Sequence, residues 1–156
     1  MPGTVYIGRL QTTFQTHTGM TQPQSQPAPH IEHLNSPAFA AHGLPFSEIV
    51  RVGDMLYLSG QMGTLPGTLT LAPGGLKAEA RQAMLNIQTA LEAHGYSMAH
   101  VVKCTVMLAD MSDWQTFNSI YTGFFTAPLP ARSAFGNVAL ALNGRVEIDV
   151  IASARR

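Results

Sequence analysis

At 156 residues the chain fits one domain, and a body of roughly 120 residues buries about two thirds of its unfolded surface, enough for a core without staples. Nine basic and nine acidic residues cancel to zero formal charge. No like-charge run exceeds the terminal Arg155-Arg156, so the electrostatic footprint of a nucleic-acid binder is missing and no nucleic-acid partner is expected. The single Cys104 excludes an internal disulfide, and neither an apolar span of roughly 18 residues nor a basic-then-apolar leader opens the chain; the expected location is cytoplasmic, with no membrane partner.

Residues 1–36 read as a flexible N-terminal tail ahead of an α+β domain spanning 37–156. The stretch Thr16 to Pro29 is rich in Gln, Pro and Thr, lacks acidic residues, and offers too little apolar surface to offset the entropy of ordering. Arg9 alone is thin support for a transit peptide, and an extension ahead of Met20 fits at least as well.

Ser47 to Arg51 and Met55 to Ser59 alternate in polarity around Gly53-Asp54, which predicts a hairpin. It leads into Ser59-Gly60-Gln61-Met62-Gly63, where glycine leaves backbone open to close approach; the spacing is not that of a phosphate-binding loop. From Leu76 the period becomes helical, with Leu76, Ala80, Ala83, Met84, Ile87 and Leu91 on one face and Gly95 as the stop. His94 sits in the last turn, where an imidazole complements the helix dipole or meets a free carbonyl.

Val101 to Ala109 alternates as a strand and turns Cys104 inward with Val102, Val106 and Leu108, a packing thiol rather than a nucleophile. Ser112 and Gln115 have capping-box spacing ahead of a second helix, on which Trp114, Phe117, Tyr121, Phe124 and Phe125 form an aromatic face. Asn118 lies on that face, where its amide must find a structural partner or a ligand. Pro128 and Pro130 stop the helix and deliver an extended chain to Arg132.

Pro130 to Ala154 predicts a terminal hairpin, because Asn143-Gly144 between apolar alternations suits a type I′ turn. In that register Leu140 faces Glu147, and Arg132 lies eight residues further back, roughly 26 Å away at about 3.3 Å per residue. Such a pair meets only if the strand is bent or if the two side chains come from different subunits. The order hairpin, helix, strand, helix, hairpin gives an α+β layer with two helices packed on one face of a mixed β-sheet. Its other face needs a cover, and an oligomer built sheet inward provides one.

The segments SGQMG, VVKCTVMLADMSDW, FNSIYTGFF, PARSAF and VEIDVIA, in this order over roughly residues 44–154, resemble the RidA family, also called the YjgF/YER057c/UK114 family. The resemblance implies a chorismate-mutase-like α+β fold, a homotrimer with ligand clefts between subunits, and hydrolysis of reactive 2-imino or 2-enamino acids to 2-keto acids and ammonia. It implies no metal and no organic cofactor. By motif position it assigns Arg132 to the substrate carboxylate, Glu147 to the water, and Ser59 and Gly60 to ligand contacts. The chain departs from the family at Leu44-Pro45-Phe46-Ser47, where a phenol is usual in place of Phe46, at Ala134 and at Ala141-Leu142-Asn143; these bear on substrate preference rather than fold.

The chemistry suits those residues. An Arg fork holds a carboxylate by two parallel charge-assisted hydrogen bonds, and a protonated imine needs only a positioned water and one carboxylate to accept and return a proton. Taken without the resemblance, Arg132 is a solvated strand-end charge and Glu147 a solvent-face residue. His30 and His33 lack further ligands for a metal site, and no serine triad is legible. Two alternatives remain: a non-catalytic regulatory trimer that binds small carboxylates, and a ribonuclease or translation inhibitor, which neutral charge disfavours.

Overall fold

The computed structural model describes residues 28–155; most of the expected tail, residues 1–27, lies outside that range. Along the chain come β1 (Ile31–Leu34), a short helix α1 (Pro37–Ala40), β2 (Ile49–Val52), β3 (Met55–Met62), α2 (Leu76–Ala93), β4 (Val101–Leu108), α3 (Trp114–Tyr121), β5 (Ala131–Gly136) and β6 (Val146–Ser153). The strands make one mixed sheet in the order β1-β2-β3-β6-β4-β5, with only β4 and β5 parallel.

The periodic stretches form as the sequence predicts. Leu76, Ala80, Ala83, Met84, Ile87 and Leu91 of α2 are buried against Leu56, Leu58, Cys104, Val106, Leu108, Ile148 and Val150 of the sheet. Phe117 and Tyr121 of α3 join the same core, so both long helices cover one face. The other face keeps Tyr57, Phe135 and Ile31 well exposed. Among the described residues no helix is long and apolar enough to cross a membrane.

Three expectations are corrected. The folded body starts before Pro37, because Ile31–Leu34 pairs antiparallel with β2 from Ile31↔Val52 to Leu34↔Ile49. Ser36 then caps α1, accepting from the Phe39 N–H at 3.2 Å, and its own N–H and hydroxyl are taken by the buried Glu48 carboxylate at 2.7 and 3.2 Å. His94 Nε2 lies 3.5 Å from that carboxylate, so this imidazole is spent on tying the end of α2 to the β1 side of the fold. The second helix begins at Trp114 rather than from a Ser112 capping box: Asp110 accepts from the Ser112 N–H at 2.8 Å and caps a 3₁₀ turn over Met111–Asp113.

The largest correction is the terminal hairpin, which does not form. β5 pairs with β4 at the sheet edge, and β6 is inserted between β3 and β4. Leu142 and Asn143 carry the positive φ angles, 57° and 56°, while Gly144 sits at −64°. Gly144 packs against Met62, and the next N–H, that of Arg145, donates to the buried Glu79 carboxylate at 2.6 Å. The energetics favour this outcome. The Asn143-Gly144 signal fixes only two residues locally, whereas a fully buried aliphatic side chain contributes about 1.5–3 kcal/mol, and a central β6 buries Val146, Ile148, Val150 and Ala152 together.

Candidate functional site

Arg132 stands opposite Cys104 in the β4–β5 ladder. Paired residues of neighbouring strands point the same way, and Cys104 is buried under the helices, so Arg132 projects to the helix side. Its guanidinium carbon lies 4.6 Å from the ring centroids of both Trp114 and Tyr121 and 6.0 Å from Phe117. Each close contact of this kind contributes about 0.5–1 kcal/mol where exposed and about 2 where desolvated. Among the described residues no carboxylate and no hydrogen-bond acceptor engages the guanidinium, which leaves its fork of N–H donors for a ligand.

The groups around Arg132 are arranged to stay neutral. Burial is the main cause that pushes the Cys104 thiol upward and outweighs the opposing Tyr121 phenol and Arg132 charge, so the thiol is no thiolate nucleophile. The Tyr121 phenol is also driven up, first by burial and then by the adjacent Cys104. Asn118, between Trp114 and Tyr121 on α3, has its Oδ1 shielded from solvent with no partner among the described residues. An acceptor left this way has a reason to face an incoming donor.

Glu147 is elsewhere. It stands opposite Met107 on β4 and Met62 on β3, and its neighbours Val146 and Ile148 are buried under the helices, so Glu147 faces the open side of the sheet. Its carboxylate lies across Gly60, where an added Cβ would collide with Oε1. Gly60 belongs to a bulge: Leu58 pairs with Val150 and Gln61 with Ile148, leaving Ser59 and Gly60 to oppose Asp149 alone. Burial first and Asp149 second raise the Glu147 carboxyl above its ordinary value.

Ser59 lies on this second side, on the same face of β3 as the exposed Tyr57. The Ser59 hydroxyl donates to the Ser47 carbonyl at 2.6 Å and its N–H to the Glu48 carbonyl at 3.0 Å, so Ser59 braces the segment that follows Phe46 and keeps only its oxygen as acceptor. Phe46 is half exposed and packs against Phe39 with centroids 5.8 Å apart.

The residues singled out by sequence therefore fall into two groups, Arg132 with Asn118 and Ser59 with Gly60 and Glu147. Arg132 and Glu147 are not brought together within one chain. Their β4 partners, Cys104 and Met107, are three residues apart and two strand spacings separate β5 from β6, which puts the Cα atoms about 14 Å apart with side chains on opposite faces. The expected separation of roughly 26 Å was too long because it assumed the hairpin; of the two routes left open, a bent strand and a second subunit, no bend of β5 brings the groups together here. Sequence reading saw the aromatic spacing of α3 without its purpose, which is to hold Arg132, and passed over Glu79 and Asp149. His30 makes a 3.6 Å contact with Glu32 and His33 one of 3.0 Å with the Ser47 hydroxyl. Among the described residues no three His, Cys, Asp or Glu side chains gather as a metal site.

Comparison with known proteins adds the relatives of this arrangement. The family described as Endoribonuclease L-PSP matches residues 36–154. A bovine (Bos taurus) 2-iminobutanoate/2-iminopropanoate deaminase is 45% identical over 108 residues, covering 69% of this chain and 79% of the relative. Among solved structures, RidA from the Antarctic bacterium Psychrobacter superposes with a TM-score of 0.68 at 34% identity, covering 82% of this chain and 99% of its own. Escherichia coli TdcF with bound serine superposes with a TM-score of 0.66 at 31% identity, covering 70% and 88%.

Proposed function

The chain belongs to the YjgF/RidA family, described as Endoribonuclease L-PSP, and on that premise we propose that it hydrolyses small 2-imino and 2-enamino acids to 2-keto acids and ammonia. The observation that carries this reading is the uncommitted Arg132 fork over Trp114 and Tyr121. A 2-imino acid always presents a carboxylate, and a planar guanidinium meets it by two parallel hydrogen bonds, which fixes the adjacent C=N carbon. No cofactor enters the scheme.

In the proposed reaction Glu147 accepts a proton from water as its oxygen bonds to the protonated imine carbon. The proton then passes to nitrogen, and as the C–N bond breaks and ammonia leaves, the Glu147 carboxylate takes the hydroxyl proton so that the neutral carbonyl forms. The raised Glu147 carboxyl suits a group that must both take and return a proton near neutral pH. Ser59, Gly60 and Phe46 form the floor and wall on the Glu147 side in this reading, and Asn118 lies beside the carboxylate clamp.

The site is assigned to a homotrimer of chorismate-mutase-like type, its sheets facing inward and Arg132 of one subunit meeting Glu147 of the next. Two features support this assembly: the opposite-face placement of the two residues, and the exposed Tyr57, Ile31 and Phe135 on the uncovered sheet face. The zero formal charge favours a small carboxylate over RNA as the ligand, despite the ribonuclease in the family description. The test is keto-acid release from freshly generated 2-iminobutanoate or 2-aminoacrylate. Release well above the spontaneous rate supports the reading, and release at the spontaneous rate overturns it.

A further inference from the structure

The imidazole of His33 is tied to the Glu147 side of the site through residues already described there. His33 stands opposite Val50 of β2, and Val50 opposite Tyr57 of β3, so His33 shares the open face of the sheet with the exposed Tyr57 and Ile31; Leu34 beside it packs against the core. Its Nδ1 lies 3.0 Å from the Ser47 hydroxyl oxygen. The Ser47 carbonyl in turn accepts from the Ser59 hydroxyl at 2.6 Å. The Ser59 N–H donates to the Glu48 carbonyl at 3.0 Å, which carries the β2–β3 pairing one step past Ile49↔Leu58 and sets Ser47 beside Gly60. Gly60 is the residue that the Glu147 carboxylate overlies. The His33 ring is thus one to two strand spacings from that glycine, roughly 5–10 Å, within a single chain.

The contact with Ser47 occupies one ring nitrogen and leaves the other. Among the described residues Nε2 has no partner, and the side chain is exposed. Where the Ser47 hydroxyl donates to Nδ1, Nε2 carries the proton and donates; where Nδ1 donates to Ser47, Nε2 accepts. In both cases the ring offers one directed hydrogen bond at a distance that the outer atoms of a short substrate side chain reach. The nearest charged groups do not compete for it, because Glu32 and Arg51 face each other at 3.8 Å on the helix side of β1 and β2.

We propose that His33 is a specificity-determining residue of this site, its Nε2 hydrogen-bonding a hydroxyl or amide on the substrate side chain, so that 2-imino acids with neutral polar side chains are hydrolysed in preference to alkyl ones of the same size. The inference rests on the hydrolytic reading above. Hydroxyl and amide groups both donate and accept, so they satisfy the ring in either tautomer. An alkyl group in the same place displaces water from Nε2 and returns no hydrogen bond.

The test compares two imines of nearly equal shape, generated in place from L-asparagine and L-leucine by an amino acid oxidase. In the parent, kcat/KM for the asparagine-derived imine exceeds that for the leucine-derived one by about 3- to 10-fold, the scale of one net hydrogen bond. In His33→Leu the ratio falls to about one or below, and in His33→Gln, whose amide offers a donor and an acceptor, part of the preference returns. A parent that hydrolyses both imines equally well overturns the proposal, and so does a folded His33→Leu that keeps the parental ratio. If His33→Leu does not fold, binding to the parent decides, read by 15N NMR of labelled histidine with the His33 signals assigned by their loss in His33→Gln. The stable keto acid 2-oxosuccinamate shifts the His33 Nε2 signal and 4-methyl-2-oxopentanoate does not; equal shifts, or none, overturn the proposal. The NMR readout needs no turnover, so a parent that releases no keto acid sinks the hydrolytic reading while the two binding shifts still judge His33.

Discussion

The carboxylate of Glu147 occupies the space that a side chain at position 60 would need. Gly60 is thus required by close approach rather than by backbone conformation, and the bulge at Ser59-Gly60 is what brings the backbone under the acid. In Gly60→Ala the flexible end of Glu147 swings away while the sheet keeps its pairing. The expected result is a fall of roughly 100-fold in kcat/KM, the scale of loss from a displacement of about 1 Å at a reacting group. Circular dichroism and native mass check that the assembly is intact.

The aromatic cradle of Arg132 gives a second prediction. Trp114→Leu removes one face of the guanidinium's support but leaves the core residue Phe117 in place, so KM for the imine rises by about 5- to 30-fold, the equivalent of about 1–2 kcal/mol, with a smaller change in kcat. Arg132→Lys should lose nearly all accelerated hydrolysis, because a point ammonium cannot reproduce the fork. Steady-state kinetics at matched thermal stability separates these effects from unfolding. A lysine variant with parental rates would remove the bidentate clamp from the account.

Glu147 also predicts a stability effect with a definite sign. Its carboxyl is raised in the fold, by burial first and Asp149 second, so folding favours the protonated form. The stability it contributes is present below the carboxyl's unfolded value and is lost as pH rises through the higher folded value. Glu147→Gln, always neutral, should therefore melt at a higher temperature than the parent at pH 7. That advantage should shrink as pH drops below the ordinary carboxylate range. Differential scanning calorimetry from pH 4 to 8 measures it, and a variant that melts lower at neutral pH contradicts the assignment.

The sequence carried the local structure well where one period ran long enough. The apolar stripe of α2, the alternation of β4 from Cys104 to Leu108 and the Gly53-Asp54 turn between β2 and β3 were all legible because each is decided by contacts within the element or between neighbours; the inward placement of Val102 was wrong, because a register shift at the start of β4 buries Val101 and exposes Val102. Two placements were not. β1 reads as tail because Ile31-Glu32-His33-Leu34 shows no strong alternation and is held by pairing to β2 and by the Ser36–Glu48 contacts. β6 was placed beside β5 because Asn143-Gly144 is a local signal, whereas its true neighbours are chosen by non-local burial of Val146, Ile148, Val150 and Ala152. For the site, resemblance pointed to Arg132 and Glu147, but only the register shows that they occupy opposite faces.

In the proposed trimer a working site takes Arg132 from one subunit and Glu147 from its neighbour. The direct measurement mixes Arg132→Ala and Glu147→Ala chains, each inactive alone, unfolds and refolds them together, and follows imine hydrolysis with native mass spectrometry on the same samples. In randomly mixed trimers about a quarter of the clefts combine an intact Arg132 with an intact Glu147, so activity should return to roughly that fraction of the parent. Mixed trimers that form in the expected proportions and remain as inactive as the two starting variants would contradict the shared site.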